Sequence, residues 1–347
     1  MRKSVYHDFY HLPFYHVLAR EVGEGEPFLF VYENEEYMIA LPLLIRPIHT
    51  VAIKVSDEQS WFDATSVYGY VGPIASHADI PPAVLLDFQD SLMNTLSERR
   101  VVSLFSRLHP FCDQSIFVSG LGDLVTHGRT ISIDLSVGEK DQLAQYRRNH
   151  LREIRKLKEA GVTCVEDVGF QHLDDFVNLY HETMKRVQAA PEYFYPRSYF
   201  QHLVETDEAE VLLLFCSLAE DVMSAGIFVR CEGTVEYHLG GTSRSEIKHS
   251  PMKLLLDTAR HWAYEKGVKA FHLGGGVGSH EDSLFSFKKG FSGRMHFFRT
   301  WRWVVLPSVY EQLTALHGRW LADRGYPKPA EDFFPQYRST VPVVLSA

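Results

Sequence analysis

Residues 28–46, FLFVYENEEYMIALPLLIR, run from an apolar stretch through a charged turn into a second apolar stretch, which predicts two strands joined as a hairpin and closing at Arg46. Residues 213–230, LLFCSLAEDVMSAGIFVR, repeat that plan and close at Arg230. Further on, Tyr68-Gly-Tyr-Val-Gly-Pro73 aligns with Tyr237-His-Leu-Gly-Gly-Thr242 at an offset of 169 residues. The same offset then carries Pro82 onto Pro251, Leu85 and Leu86 onto Leu254 and Leu255, and Leu104 onto Leu273. The matched prolines stand where the first turn of a helix accepts them. The matched leucines are expected on the core side of that helix and on the strand after it. Each half therefore reads strand, turn, strand, strand, helix, strand. That is a mixed α/β unit, an antiparallel meander with a helical crossover, and its presence twice predicts an internal duplication with Tyr68 over Tyr237.

The remaining pattern completes the two copies. A strand at Val162–Val168 and a helix from Phe170 to about Gln188 precede the second copy, the helix carrying Leu173, Phe176, Val177, Tyr180 and Met184 along one stripe. Asp141–Ala160 predicts one long helix stopped by Gly161. Trp301–Val305 reads as a late strand, Val309–Leu321 as a helix, and the tail with Pro327, Pro329, Pro335 and Pro342 as irregular. The expected organisation is an N-terminal domain over 1–140, completed by about 301–347, a basic connecting helix over 141–161, and a C-terminal domain over 162–300.

Composition narrows the function. A length of 347 residues allows two cores, and a net charge of −9 argues against coating nucleic acid over the whole surface, so any anion site must be local. No stretch approaches the roughly 20 apolar residues of a membrane span, and the N-terminus with His7, Asp8, His11 and His16 lacks the apolar core of a signal peptide. A soluble, cytoplasmic protein without an integral membrane segment is expected. Cys112, Cys164, Cys216 and Cys231 form no CxxC pair and read as reduced thiols. The N-terminal histidines lack HExxH spacing, so no metal site is expected, and no GxSxG, Walker or kinase signature occurs.

Two segments carry candidate chemistry. The run from Arg147 to Lys158 holds six Lys or Arg against one acid, with Arg148, Arg152 and Arg155 on one helical face, a local site for a diphosphate or an equally plain solvated face. Gly274-Gly-Gly-Val-Gly278 follows a strand and reads as a sharp turn. Ser279-His-Glu-Asp282 after it resembles a capping box, and the spacing departs from GxGxxG, which disfavours a nicotinamide site.

The order of elements resembles the GNAT acyltransferase fold. Its duplication resembles the tandem-GNAT, Fem-like (FemAB) peptidoglycan aminoacyltransferases and relatives in polysaccharide-associated acyl transfer. The carrying residues are DFYHLPFYHVLA at 8–19, TSVYGYVGPI at 65–74, LREIRKLKEAGV at 151–162, DFVNLYHETMKR at 175–186, VEYHLGGTS at 235–243, HSPMKLLLDTARHWAYEKGVKAFHLGGG at 249–276 and LFSFKKGF at 284–291. The resemblance implies two tandem GNAT-like folds, the C-terminal one being the working transferase, with a gap between strands at Thr234–Leu239 and Lys269–Leu273.

It also implies roles. Lys288, preceded by Phe287, matches the lysine of an F-K-x-x-F signature, where an ammonium beside an acyl ester could neutralise the oxyanion. Lys289 is the weaker candidate. Tyr237 is a candidate oxyanion donor and His238, His272 or His280 a candidate base; only one of Tyr237 and His238 can face a cleft, because they alternate on a strand. Tyr68 and Tyr70 are candidates to line an acceptor groove, and Arg148 and Arg152 to bind an anionic acceptor. Gly240, Gly241 and Ser250 stand where CoA-dependent GNAT enzymes carry their pyrophosphate loop. That loop's glycine pattern is missing from Arg244–Pro251, and Ser250 reads simply as a helix N-cap.

The implied function is amide formation between an activated acyl or aminoacyl group and an amine on a cell-wall or polysaccharide precursor, such as a nucleotide sugar or peptidoglycan precursor. No cofactor would be tightly bound, and the co-substrate would be aminoacyl-tRNA or acyl-CoA. The alternatives are an acyl-CoA-dependent N-acetyltransferase acting on an amino sugar or sugar nucleotide, and a non-catalytic nucleotide-sugar-binding module.

Overall fold

The computed structural model describes residues 4–49 and 60–339; Pro342 lies outside them. The chain divides into two compact units. One takes the chain up to Tyr6, Gly23–Thr126 and the chain from Arg299 onward; the other takes His7–Val22 and His127–Phe298. The N-terminal helix α1 (Pro13–Glu21) thus belongs to the second unit, where it packs on a later helix.

In the first unit, β1 (Glu26–Glu33) and β2 (Met38–Pro47) form the predicted hairpin, with Glu33 opposite Met38. The Asn34 side chain closes its turn by accepting from the backbone N–H groups of Glu36 and Tyr37. β2 pairs antiparallel with β3 (Phe62–Thr65) and with the short β4 (Ile74–Ala75). Helix α2 (Pro82–Glu98) then crosses to β5 (Val101–Arg107), which lies parallel to β3. A short α3 (Ser115–Val118) leads to β6 (Asp123–Asp134). The core gathers Leu41, Leu43 and Leu104 from the sheet and Phe88, Leu92 and Leu96 from α2.

The second unit contains α4 (Glu139–Ala144), α5 (Arg148–Glu159), β7 (Thr163–Glu166), α6 (Leu173–Arg186) and α7 (Arg197–Val204). The meander β8 (Glu210–Leu218), β9 (Asp221–Cys231) and β10 (Thr234–Thr242) follows, then α8 (Met252–Glu265), β11 (Ala270–Gly274) and α9 (Ser283–Lys288). Here β8, β9 and β10 pair antiparallel, α8 crosses over, β11 runs parallel to β10, and β6 pairs antiparallel with β11. The last strand, β12 (Met295–Val304), pairs antiparallel with β5 in the first unit, and α10 (Pro307–Ala322) follows it, Leu313 packing with Ile48, Val102 and Tyr337.

Each unit repeats one topology, an antiparallel three-strand meander, a helix, a parallel strand, and an antiparallel strand beyond it. The offset of 169 holds where Pro82 and Pro251 open their helices and where Val101 and Ala270 open β5 and β11. It fails earlier. Phe62 pairs with Val101 while Thr234 pairs with Ala270, an offset of 172 between β3 and β10. Tyr237 therefore lies within a strand, whereas Tyr68 lies beyond the end of β3, and the expected equivalence of the two is corrected. The paired leucines are corrected too. Leu254 and Leu255 are buried, but Leu86 is 60% exposed, because α2 turns Phe88, Leu92 and Leu96 inward at i, i+4 and i+8.

The single helix expected over 141–160 is two, α4 and α5. The break at Gln145–Arg147 is tertiary in origin. The buried Tyr146 donates its hydroxyl to Asp257 at 3.2 Å, and the Arg147 N–H donates to the Gly290 carbonyl at 2.7 Å. Arg260, 2% exposed, fixes α4 to α8 through Gln142 and Glu139 at 2.8 and 2.9 Å.

Candidate active site

The two strands expected to splay do so. β10 and β11 pair at only three positions, Thr234 with Ala270, Val235 with Phe271 and Glu236 with His272. Beyond them β10 continues to Thr242 along β9, with a bulge between Tyr237 and Leu239, while β11 stays on β6 with a bulge between His272 and Gly274. Irregularity on both sides of the last pair opens a gap whose mouth begins at Glu236 and His272.

The Gly274–Gly278 turn leads from this mouth to α9. Asp282 caps α9 by accepting from the Phe285 N–H at 2.9 Å, and its other oxygen accepts from the Val277 N–H at 3.2 Å. The cap is therefore Asp282 itself, and the expected capping box beginning at Ser279 does not form. A Cβ at Gly276 would stand 2.1 Å from the His280 carbonyl oxygen, so the turn requires glycine there. At the other end of α9, His150 of α5 bonds the Phe287 carbonyl through Nε2 at 3.0 Å, and its ring fills the space a Cβ on Gly290 would need.

Held at both ends, α9 aims Lys288 back across the turn. Its Nζ donates to the Gly275 carbonyl at 2.7 Å and lies 5.7 Å from the centre of the Tyr237 ring. The side chain is only 7% exposed, and burial lowers its pKa to about 8, with Asp282 and Glu236 opposing the shift. At the last paired position of the two strands, His272 Nδ1 and Glu236 Oε2 are 2.7 Å apart, both groups fully buried. Burial lowers the His272 pKa to about 3, with Lys288 adding to the effect, so the ring is neutral and its Nδ1–H donates to the carboxylate. Asp8 is also buried, with a carboxylate oxygen within 4.8 Å of one on Glu236, and the Tyr10 N–H fixes it at 2.9 Å.

Sequence reasoning singled out Lys288 and Tyr237, which meet here, but missed Glu236 and Asp8. A signal for Glu236 was available: an acid inside an apolar strand and a histidine inside the next, at positions a parallel register makes partners. Asp8 had no such signal, since its segment joins a unit that otherwise begins at His127.

The other candidates lie elsewhere in the second unit. His238 sits at the bulge of β10, buried among Phe9, Tyr10 and Tyr15, with Nε2 3.1 Å from the Tyr199 hydroxyl, and burial lowers its pKa to about 3. His280 is exposed in the glycine turn. Gly240 makes room for the Tyr237 hydroxyl, which would stand 2.4 Å from a Cβ there, and Gly241 lets the α6 backbone approach. Ser250 has φ 53° and makes no side-chain cap. Pro251 occupies the N-cap position of α8, and this corrects the expected role of Ser250. Phe287 packs on His150 and Phe291. Arg148 and Arg152 are exposed on α5, Arg152 bonding Asn149 at 2.6 Å.

In the first unit the corresponding strand gap is closed. The Ser66 N–H bonds the Phe105 carbonyl, the Arg107 N–H bonds Ser66 Oγ, the Val71 N–H bonds the Arg107 carbonyl, and Val71 bridges to Leu108. Tyr68 and Tyr70, half-buried, lie on this closing segment near Arg107 and His109.

Residues 144–288 match the family model of the acetyltransferase (GNAT) domain, which covers most of the second unit. The chain resembles the crystal structure of FemX with a TM-score of 0.67 at 13% identity, over 89% of this chain and 95% of that one. It resembles the C-terminal domain of a putative lysylphosphatidylglycerol synthetase from Agrobacterium fabrum with a TM-score of 0.53 at 12% identity, over 86% and 91% of the two chains. For L-PGS from Bacillus licheniformis the values are 0.53 and 14%, over 87% and 95%. No curated protein sequence matches the chain significantly. The expected fold is thus correct: a mixed α/β chain of two tandem GNAT-like units, with the likeness to Fem-type proteins at the level of fold. No helix among the described residues is long and apolar enough to cross a membrane.

Proposed function

We propose that the protein is a Fem-like GNAT acyltransferase, joining an activated acyl or aminoacyl group to an amine on a cell-wall or polysaccharide precursor, with the reaction at the mouth between β10 and β11. The observation that carries this reading is the buried Lys288 ammonium, held at the Gly275 carbonyl over Tyr237, where the two strands part. Acyl transfer to an amine asks for a positioned carbonyl, a stabilised oxyanion and removal of a proton. Backbone groups of the parting strands would hold the donor, and Lys288 would meet the negative charge that develops as the amine attacks. The closed gap of the first unit supports a single working site, in the second unit. The exposed arginines of α5 suit an anionic acceptor such as a nucleotide sugar.

The donor is the point at which two readings divide. The sequence resemblance to Fem-type aminoacyltransferases supports an aminoacyl donor carried by tRNA, whereas the match to an acetyltransferase domain supports acyl-CoA and hence an N-acetyltransferase of an amino sugar or sugar nucleotide. Thermal stabilisation by acetyl-CoA or by aminoacyl-tRNA separates them. Mass spectrometry of acceptor amines incubated with the stabilising donor should then find the amide product. Saturable binding of a nucleotide sugar with no product from any donor would leave a non-catalytic module and sink the transferase reading.

A further inference from the structure

Strands β7 and β8 pair antiparallel with Cys164 directly opposite Cys216, Val165 opposite Phe215 and Glu166 opposite Leu214. The Asp167 N–H donates to the Leu213 carbonyl at 2.9 Å, which fixes the phase of the ladder. Bonded pairs recur every second residue, so they are Asp167 with Leu213 and Val165 with Phe215. Cys164 and Cys216 therefore form a non-hydrogen-bonded pair, the kind whose Cα atoms lie about 4.5 Å apart and whose side chains stand closest. A disulfide needs Cα atoms about 4.4–6.8 Å apart. Both side chains lie on the sheet face that packs against α8, where Cys216 is fully buried and Cys164 half-buried. The two thiols also differ in acidity. A hydrogen bond from Cys216 and another from Thr258 of α8 lower the pKa of Cys164, while burial raises that of Cys216. Lys158 of α5 favours the Cys164 thiolate and Asp257 opposes it, the two pairing with each other at 3.6 Å. Among the described residues no other cysteine faces a cysteine across a strand pair: Cys231 stands opposite Thr234, and Cys112 belongs to the first unit.

We propose that Cys164 and Cys216 are a reversible dithiol–disulfide site, closed by exchange with a low-molecular-weight disulfide such as oxidised glutathione. Cys164, on the last strand of the sheet, is the thiol that a small disulfide reaches first. Its thiolate attacks one sulfur of the glutathione disulfide, forming a mixed disulfide and expelling one glutathione thiolate. Cys216, opposite it in the register, then attacks the Cys164 sulfur and expels the second glutathione thiolate. Two protein thiols are oxidised and one small disulfide is reduced; the two protons lost from the cysteines end on the two glutathione thiols. The site is independent of the proposed acyl transfer, since its residues lie on β7 and β8 and the transfer is assigned to β10 and β11.

The test equilibrates the folded full-length protein in glutathione buffers of rising oxidised fraction, blocks remaining thiols with iodoacetamide, and reads each cysteine by mass spectrometry. Cys164 and Cys216 should lose their label together, and peptide mapping should find the Cys164 peptide linked to the Cys216 peptide, not to those of Cys112 or Cys231. Dithiothreitol should restore both labels. Cys216→Ser should stop at the first step, with one glutathione held on Cys164, whereas Cys164→Ser should leave Cys216 as a thiol. The wild-type linkage decides the matter even where a variant fails to fold. Glutathione accumulating on wild-type Cys164 without linkage overturns the proposal, as does retention of both thiols at every buffer composition, or a linkage that forms only after unfolding in urea.

Discussion

Replacing Lys288 by Met should slow the reaction and at the same time stabilise the protein, a combination that separates a working residue from a structural one. The folded-state pKa is lowered from 10.5 to about 8, so below pH 8 the folded protein carries an ammonium it holds less tightly than the unfolded chain does. A shift of that size corresponds to about 3 kcal/mol of destabilisation at neutral pH, at about 1.4 kcal/mol per unit. This cost disappears as pH rises from about 8 to 10.5. Methionine keeps the stem's bulk but leaves the Gly275 carbonyl without its donor, a loss of about 1–2 kcal/mol. The net expectation is a gain of about 1–2 kcal/mol at pH 7, or a few degrees in Tm. Over the same change kcat should fall about 100- to 1,000-fold. Wild-type kcat/KM should decline above about pH 8, where the ammonium is lost, and the residual rate of the variant should lack that limb. Thermal melts and pH–rate profiles, with Lys289→Met as control, check both halves. A fall in Tm that tracks the fall in rate, or wild-type activity persisting to pH 10, would refute the reasoning.

Three other outcomes follow from the same structure. Arg148→Ala and Arg152→Ala should each weaken binding of an anionic acceptor by about 1.5–3 kcal/mol and flatten its salt dependence in calorimetric titrations; unchanged affinity in both would make α5 a solvated face. His16, with its pKa lowered to about 4, and His238 and His272, lowered to about 3, resist protonation in the folded state, so the unfolded chain takes up more protons as pH falls below about 6.5. Urea melts should therefore lose about 2 kcal/mol per histidine between pH 7 and 5, and equal stability at the two pH values would contradict their burial in neutral form. Asp282→Ala removes the cap of α9 and the anchor of the glycine turn, so it should cost about 1–2 kcal/mol in stability and lower kcat more than it raises KM.

The sequence reads well wherever local pattern and fold agree. The hairpin at residues 28–46 and the helix starts at Pro82 and Pro251 are dictated by alternation, turn residues and proline, and each appears as expected. Where structure departs, tertiary bonds decide. Gln145-Tyr146-Arg147 is compatible with helix, yet Asp257 and Gly290, far along the chain, recruit its side chain and backbone and break it. The identity of Tyr68 and Tyr237 suggests equivalence, but strand register differs by three residues before the helices and not after them. Lys288 was legible through the likeness of Phe287-Lys-Lys-Gly-Phe291 to a family signature. Glu236 acquires meaning only from the parallel pairing with His272, a partner chosen by a crossover that single-strand patterns do not encode.

The most direct test of the proposed reaction is a crystal structure of the protein soaked separately with acetyl-CoA and with a uridine-diphosphate sugar. The account predicts the donor's acyl carbonyl at the parting of β10 and β11, within about 3.5 Å of Lys288 Nζ, and the sugar nucleotide's diphosphate on the arginines of α5. A donor bound with its carbonyl away from Lys288, or lodged on the closed strands of the first unit, would contradict it.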